Sequence, residues 1–265
     1  MTEPFRTRIM ISIKLTHFSR LKEMLREIKK SVIKYRIIKK QLPEYQYSIS
    51  SLAKKPIVVV TSIVGGKDVI IDDQVIEGAS FVAFTDQGSK TWKIVKPYDK
   101  FKDDRRNSRI HKIMPHMFFN SEYSIWMDGN FRLKVPAQEV IDTFLRDKDI
   151  AVWKHPDRDC VYVEAEACYK QDKDTPEALG EQSKEYRRRG IPANGGLYAA
   201  GIIIRRHTKR INELNEKWWA EYSRYSKRDQ ISFPVAFPAD EVNCIEEGTI
   251  WKNKYFERIN HATEA

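Results

Sequence analysis

Short, almost wholly apolar runs alternate with amphipathic stretches over most of this 265-residue chain. IVVVTSIV (57–64) and ASFVAFTD (79–86) are rich in β-branched and aromatic residues, which is typical of strands buried on both faces of a parallel sheet. DDRRNSRIHKIMPHMFF (103–119) and INELNEKWWAEYSRYS (211–226) instead have helical periodicity. This alternation predicts an α/β domain over residues 56–265, with a mostly parallel sheet and helices on both of its faces.

Polar side chains follow the apolar runs at the points where strands are predicted to end. They are Thr61, Ser62, Asp86, Asp128, Asn130, Lys154, His155, Arg205, Arg206 and His207. In open α/β sheets, ligands bind at the carboxyl ends of strands, so we expect several of these residues to face one pocket. His155 and His207 can act as ligands through their imidazole rings, and His207 is a candidate metal ligand. The alternative for either histidine is a structural hydrogen bond.

The sharpest local feature is the sequence Trp126-Met127-Asp128-Gly129-Asn130. A carboxylate and an amide oxygen two residues apart can both contact one hard divalent cation, such as Mg²⁺ or Mn²⁺. Such a cation would bridge a diphosphate and stabilise the negative charge that builds on a leaving group. Asp-Gly-Asn is also a typical turn sequence, so a plain turn is the alternative.

Cationic side chains precede this predicted strand at helical spacing. Arg105, Arg109, Lys112 and His116 follow one another at steps of four, three and four residues, which places them on one helical face. The first three are candidate ligands of a diphosphate. The alternative is a solvated helix surface, which is the common environment of charged side chains.

Two acidic segments are candidates for proton transfer. Asp229 and Gln230 follow the long predicted helix, and the carboxylate can accept a proton from an attacking hydroxyl. Alternatively, Asp229 caps a helix that begins at Gln230. Glu164 and Glu166 diverge by about 200° on a helix, so only one of them can face a pocket. We include Glu166 with Asp229 and Gln230 as candidate catalytic residues.

The distribution of charge argues against a nucleic-acid-binding domain. The net charge is +10, and residues 1–55 account for all of it, with 14 Lys and Arg against 4 Asp and Glu. The remaining residues carry 33 of each sign. A neutral body lacks the basic face that a nucleic-acid partner requires, so no nucleic acid is expected as a partner.

Residues 1–55 are predicted to form a basic amphipathic helical leader followed by a linker. Phe18, Leu21, Leu25 and Ile28 recur at helical spacing among Lys and Arg residues. Such a helix can lie on an anionic membrane surface, or it can pack on the body or on another subunit. With three cysteines, no secretory signal and no apolar run long enough to span a bilayer, we expect a cytoplasmic protein, peripheral at the inner face of the membrane.

Several blocks together resemble a known family, a glycosyltransferase-like domain typified by plant mucilage-related and turgor-regulation proteins. The blocks are RRNSRIHKIMPHMFF, EYSIWMDGN, WKHPDRDCVYVEAEACYK, YRRRGIP, AAGIIIRRHTKR and WWAEYSRYSKRDQISF, in the family's order. The resemblance implies a GT-A-like fold that transfers a sugar from a nucleoside diphosphate donor. Asp128 and Asn130 would take the place of an Asp-x-Asp motif, in which the neutral Asn130 is a departure. Thr61 and Asp86 would hold the nucleoside.

We therefore expect a glycosyltransferase of surface-polysaccharide synthesis, with a saccharide or lipid-linked acceptor and Mn²⁺ or Mg²⁺ as cofactor. Two other functions stay open at this point. One is a metal-dependent phosphodiesterase or nuclease that uses Asp128 with Glu164 or Glu166. The other is an inactive scaffold of the same fold that binds a partner.

Overall fold

The computed structural model describes residues 55–66 and 68–259, which contain a seven-stranded sheet and a two-stranded sheet. The large sheet comprises β1 (Ile57–Ser62), β2 (Ala79–Phe84), β3 (Lys93–Val95), β4 (Tyr123–Met127), β6 (Ile150–Lys154), β7 (Tyr198–Arg206) and β8 (Asn243–Ile245). The small sheet pairs β5 (Phe131–Leu133) with β9 (Phe256–Arg258). The two sheets meet through the turn at Asp128, since β5 begins directly after β4.

The strands of the large sheet follow the order β3-β2-β1-β4-β7-β6-β8, and only β7 is antiparallel to its neighbours. This confirms the predicted mostly parallel sheet. Because β7 is reversed, Arg206 pairs with Tyr123 at the start of β4, and Ile202 pairs with Met127 at its end. His207 and Asp128 therefore lie at opposite ends of the strands. This corrects the prediction that His207 shares a metal with Asp128, because the local pattern of a strand does not reveal its direction.

Helices flank the large sheet, and side chains that accept backbone N–H bonds begin several of them. They are α1 (Asp104–Ile113), α2 (Ala137–Phe144), α3 (Val161–Lys170), α4 (Pro176–Arg188), α5 (Lys209–Arg224) and α6 (Asp229–Ala236). The Asp103 carboxylate caps α1 by accepting the N–H of Arg106 at 2.9 Å. Thr208 caps α5 through the N–H of Ile211 at 3.3 Å. The Asp103 cap fixes where the charged face of α1 starts.

The core explains why the predicted runs became strands. Every residue of β1 is buried, as expected for a strand covered on both faces. In the core, Trp153 of β6 packs edge-on against Phe144 and Phe256, with ring centroids 5.1 and 5.8 Å away, respectively. Apolar packing on this scale holds the strand ends in place, so the polar residues that follow them can form a defined site.

The predicted leader over residues 1–55 lies outside the described residues, apart from Lys55. Its helix, its membrane contact and its boundary with the body therefore stay predictions. Among the residues that the structure does describe, no helix combines the length and apolar character that crossing a bilayer requires.

Candidate active site

A cavity of about 720 Å³ opens at the carboxyl ends of β1 and β4. Its wall is dense in charge. The cationic side chains are Arg105, Arg109, Lys112, Arg158, Lys173, Arg228 and Arg258. The acidic ones are Asp68, Asp104, Asp128, Asp157, Glu164 and Asp229. A pocket with this lining suits a polar, charged ligand, and its size fits a small molecule.

Four of these charges form one cluster at the centre of the pocket. Lys112 Nζ contacts Asp229 Oδ2 and lies 3.7 Å from Asp128 Oδ1. Arg109 lies 3.8 Å from Asp128 through its NH1 group and 3.4 Å from Asp229 through Nε. Each cation therefore touches both carboxylates. The side chains of Lys112 and Asp229 are only 2% and 5% exposed, so water screens their interaction little.

Helix α1 supplies both cations because of its spacing. Arg105, Arg109 and Lys112 line the pocket, as the steps of four and three residues predicted. The Ser108 hydroxyl donates to the carbonyl of Ser62 at 3.1 Å, which ties the helix to the end of β1. Lys112 is buried, so the alternative of a solvated helix face does not hold for it.

Two tryptophans and one backbone carbonyl help to position Asp128 and Asp229. Trp126 Nε1 donates to Asp128 Oδ1 at 2.9 Å, and the backbone N–H of Asp128 donates to the carbonyl of Gly201 at 2.8 Å. Trp218 Nε1 donates to the backbone carbonyl of Asp229 at 3.0 Å. Because Gly201 lies in β7 and Trp218 lies in α5, the cluster depends on long-range packing.

The electrostatics of the cluster bear on the predicted role of Asp229. Burial alone would raise its pKa, but the cations of Lys112 and Arg109 outweigh burial and hold the pKa well below its usual range. Asp229 contacts both Lys112 and Arg109, and a carboxylate held by two cations is a weak proton acceptor, so its contacts favour an anchoring role over that of a general base. The alternative of a helix cap is wrong, because Arg228 occupies the N-cap position of α6 and Asp229 is the first helical residue.

A second charged group lies beside the central cluster. Arg158 Nε donates to Glu164 Oε2 at 2.6 Å. His155 lies 3.8 Å from the same oxygen, and its Nδ1 accepts the backbone N–H groups of Asp157 and Arg158, each at 3.2 Å. Burial lowers the pKa of His155. The His155 ring therefore makes structural hydrogen bonds, which is the alternative that the sequence left open for it. It also lines the pocket.

The structure does not bring every predicted residue into the pocket. Glu166 is on the solvent side of α3 and pairs with Lys170 at 2.7 Å, which corrects its prediction as a catalytic residue. Glu164, two residues earlier, faces the pocket instead, as divergence on a helix requires. Thr61 is buried within β1 and Asp86 is exposed, and neither is among the described residues of the wall. Gln230 does line the pocket.

The sequence pattern did not predict several of the pocket residues, because no regular spacing links them to one another. Arg158 and Arg228 stand inside blocks that the family resemblance quoted, WKHPDRDC and SKRDQ, and that context was the only signal for them. Trp251 and Arg258 come from the C-terminal part of the chain, beyond those blocks.

The donor set around Asp128 does not fit a metal held by the protein. Asp128 Oδ1 already accepts from Trp126 and lies near two cations, which would repel a divalent ion. Asn130 contributes no charge. Among residues 55–66 and 68–259, no three His, Cys, Asp or Glu side chains are grouped to hold a metal. The structure therefore gives no support to the Mn²⁺ or Mg²⁺ site predicted at Asp128 and Asn130, because Lys112 and Arg109 supply positive charge at that place.

Comparison with known proteins places the chain in a family. The family model described as TOD1/MUCI70, glycosyltransferase-like domain, matches residues 71–260. This chain belongs to that family. The match confirms the resemblance drawn from the motifs, and the sheet with its flanking helices confirms the predicted mostly parallel α/β architecture.

Two relatives from Arabidopsis thaliana carry different names. One is a probable hexosyltransferase, MUCI70, which is 31% identical over 154 residues, covering 54% of this chain and 26% of the relative. The other is alkaline ceramidase TOD1, which is 27% identical over 179 residues, covering 63% of this chain and 38% of the relative. This chain thus spans well under half the length of each. The family and the hexosyltransferase relative support a transferase activity.

Two solved structures show partial similarity. WbbM, a bifunctional glycosyltransferase, aligns with a TM-score of 0.43 at 15% identity, over 73% of this chain and 39% of that chain. Mouse xyloside xylosyltransferase 1 aligns with a TM-score of 0.37 at 11% identity, over 71% of this chain and 84% of that chain.

Proposed function

We propose that this domain transfers a hexosyl or pentosyl group from a nucleoside diphosphate sugar to a saccharide or lipid-linked acceptor of a surface polysaccharide. The observation that carries the proposal is the pair of cations, buried Lys112 and half-buried Arg109, at the centre of a pocket in a glycosyltransferase-like domain. A diphosphate is the anionic part of every such donor. Charge-assisted bonds from a guanidinium and an ammonium suit its oxygens.

The chemistry follows from where the negative charge develops. The bond between the sugar carbon and the diphosphate oxygen breaks, and a bond from that carbon to an acceptor hydroxyl oxygen forms. The hydroxyl proton leaves to the released diphosphate or to solvent. Lys112, Arg109 and Arg105 stabilise the leaving diphosphate, since cations that are already oriented need little reorganisation. Asp128 and Asp229 keep the two central cations in place and charged.

The phosphodiesterase alternative finds less support in the geometry. It required Asp128 and an acidic residue of α3 to share one metal. Glu166 faces solvent, and Glu164 is bound by Arg158. Each acidic group is thus engaged with a side-chain cation.

A donor-hydrolysis screen tests the proposal and the scaffold alternative together. The full chain is incubated with common UDP-, GDP- and dTDP-sugars, and the released nucleoside diphosphate is measured. We expect at least one donor to be hydrolysed, and Lys112→Met to lower the rate by about 10²-fold or more. Lys170→Met, which removes an exposed cation from α3, is the matched control and is expected to leave the rate unchanged. A chain that binds and hydrolyses none of the donors would refute the proposal.

A further inference from the structure

One tryptophan differs from all the others in its exposure. The chain has six tryptophans, and all of them lie within the described residues. Five are at most 5% exposed, whereas Trp251 is 46% exposed. A single exposed apolar side chain on an open surface needs no explanation, but Trp251 lines the wall of the charged pocket. An indole in that position points to a ligand that covers it.

The loop that carries Trp251 is held firmly before any ligand arrives. The backbones of Thr249 and Lys252 exchange two hydrogen bonds, each 3.1 Å long. Gly248 has φ +70, and a Cβ there would lie 2.5 Å from the Lys252 carbonyl oxygen, so the turn is tight. The Asn253 amide donates to two loop carbonyls at 3.0 and 3.2 Å and accepts two backbone N–H groups at 3.0 and 2.8 Å. A preorganised loop loses little entropy on binding.

The neighbours of Trp251 place it on one side of the pocket. Ile250 is buried, and its side chain and that of Asp128 both lie close to Gly201 of β7. A Cβ on that glycine would lie 3.1 Å from Ile250 Cδ1 and 3.4 Å from Asp128 Oδ2. On the other side of this strand end, Gly129 lies against Ile63, which follows β1. Nucleotides bind at the carboxyl ends of parallel strands, the β1 side. Through Ile250, Trp251 is anchored beside the antiparallel strand β7, on the side of the pocket that a nucleotide at the β1 side leaves for the second substrate.

The chemistry of this side matches a sugar ring. A pyranose has an apolar C–H face that can lie on an indole and a rim of hydroxyl groups that needs donors and acceptors. The guanidinium of Arg258 is 5.8 Å from the centre of the Trp251 ring and also lines the pocket. Arginine offers several N–H donors to oxygens at such a rim. We propose that Trp251 and Arg258 form the acceptor subsite, in which a pyranose of the saccharide stacks on the indole. This inference rests on the proposed function.

Saturation-transfer NMR on the full chain tests the subsite directly. The probes are methyl β-D-glucopyranoside, methyl β-D-galactopyranoside and methyl β-D-xylopyranoside, each in the presence of UDP. We expect at least one glycoside to bind. Trp251→Ala should weaken that binding about tenfold or more, as for an aromatic anchor at a binding site. Trp251→Phe should retain most of it, because the phenyl ring preserves a stacking surface. The control is Tyr169→Ala, which removes an exposed aromatic side chain outside the pocket wall.

Acrylamide quenching of tryptophan fluorescence provides a second readout. Only Trp251 is well exposed, so the glycoside should protect a quenchable component that is absent from Trp251→Ala.

The outcomes separate this inference from the proposed function. Binding of no glycoside by a wild-type chain that hydrolyses a donor would overturn the subsite and leave the proposed function standing. Weaker binding of UDP to Trp251→Ala, with glycoside binding intact, would show that the indole stacks on the nucleobase and would also overturn the subsite. Glycoside binding that depends on Trp251, in a chain that hydrolyses no donor, would support the subsite while the proposed function fails.

Discussion

Replacing Asp229 by Asn removes one charge from the buried cluster while keeping the size of the side chain. Wild type balances two cations, Lys112 and Arg109, against Asp128 and Asp229. The variant leaves two cations against one carboxylate. The pair being broken is 2% and 5% exposed, so little of the loss is recovered from water.

The size of the effect follows from the burial of the pair. Removing one partner of a buried ion pair costs about 3–5 kcal/mol. We expect the lower end, about 3 kcal/mol, because asparagine can still accept a hydrogen bond from Lys112. For a domain of this size, that lowers the melting temperature by about 6–12 °C.

A double-mutant cycle distinguishes charge imbalance from a general packing defect. Lys112→Met with Asp229→Asn restores one cation against one carboxylate. We therefore expect the double variant to lose about 1–3 kcal/mol less than the sum of the single variants. The matched pair is Glu166→Gln with Lys170→Met on the surface of α3, where the ion pair is exposed and each change should cost under about 0.5 kcal/mol.

The stability difference between wild type and Asp229→Asn should also depend on pH. The folded pKa of Asp229 lies below its unfolded value, so its contribution is fully present above about pH 4 and is lost as the pH falls towards the folded pKa. Thermal unfolding from pH 7 to pH 3 measures this. A variant that melts with wild type at pH 7, or single losses that simply add in the double variant, would refute the cluster as the source of stability.

Three further predictions concern the same chain. Asp128→Ala should lower transfer by about 10²-fold or more while circular dichroism stays unchanged, because Asp128 orients the phosphate-binding cations; turnover at the wild-type rate would contradict this. EDTA should change the affinity for UDP, measured by calorimetry, by less than about twofold, since the pocket cations hold the diphosphate. A tenfold loss of affinity would show instead that a metal ion helps to bind the diphosphate. Deleting residues 1–55, which carry the excess charge, should weaken co-sedimentation with anionic vesicles at low salt but not at high salt; equal recovery of both chains would exclude a membrane role for the leader.

The local sequence was sufficient for several of the elements and for part of the site. Buried parallel strands have a composition of their own, so IVVV and FVAF predicted β1 and β2 without any knowledge of their partners. Helical spacing likewise placed Arg105, Arg109 and Lys112 on one face, and that face lines the pocket. Asp128 was found because a strand end followed by Asp-Gly-Asn is a local pattern.

Tertiary structure decided the rest, since the remaining features depend on pairings between distant segments. The reversed direction of β7 follows from its pairing with β4 and β6. It places His207 at the opposite end of the strands from Asp128. Because of the way α3 packs, Glu164 faces the pocket and Glu166 faces solvent.

The role of the central carboxylates is the clearest case. A strand-end aspartate has the same local sequence whether it meets a metal or a lysine. Only the approach of α1 and α6 to β4 surrounds Asp128 and Asp229 with Lys112 and Arg109. Local sequence alone thus predicts which residues carry charge and which helical faces present it. The fold determined which charges meet, because Coulomb attraction in a buried site depends on distances that separate segments acquire only when packed together.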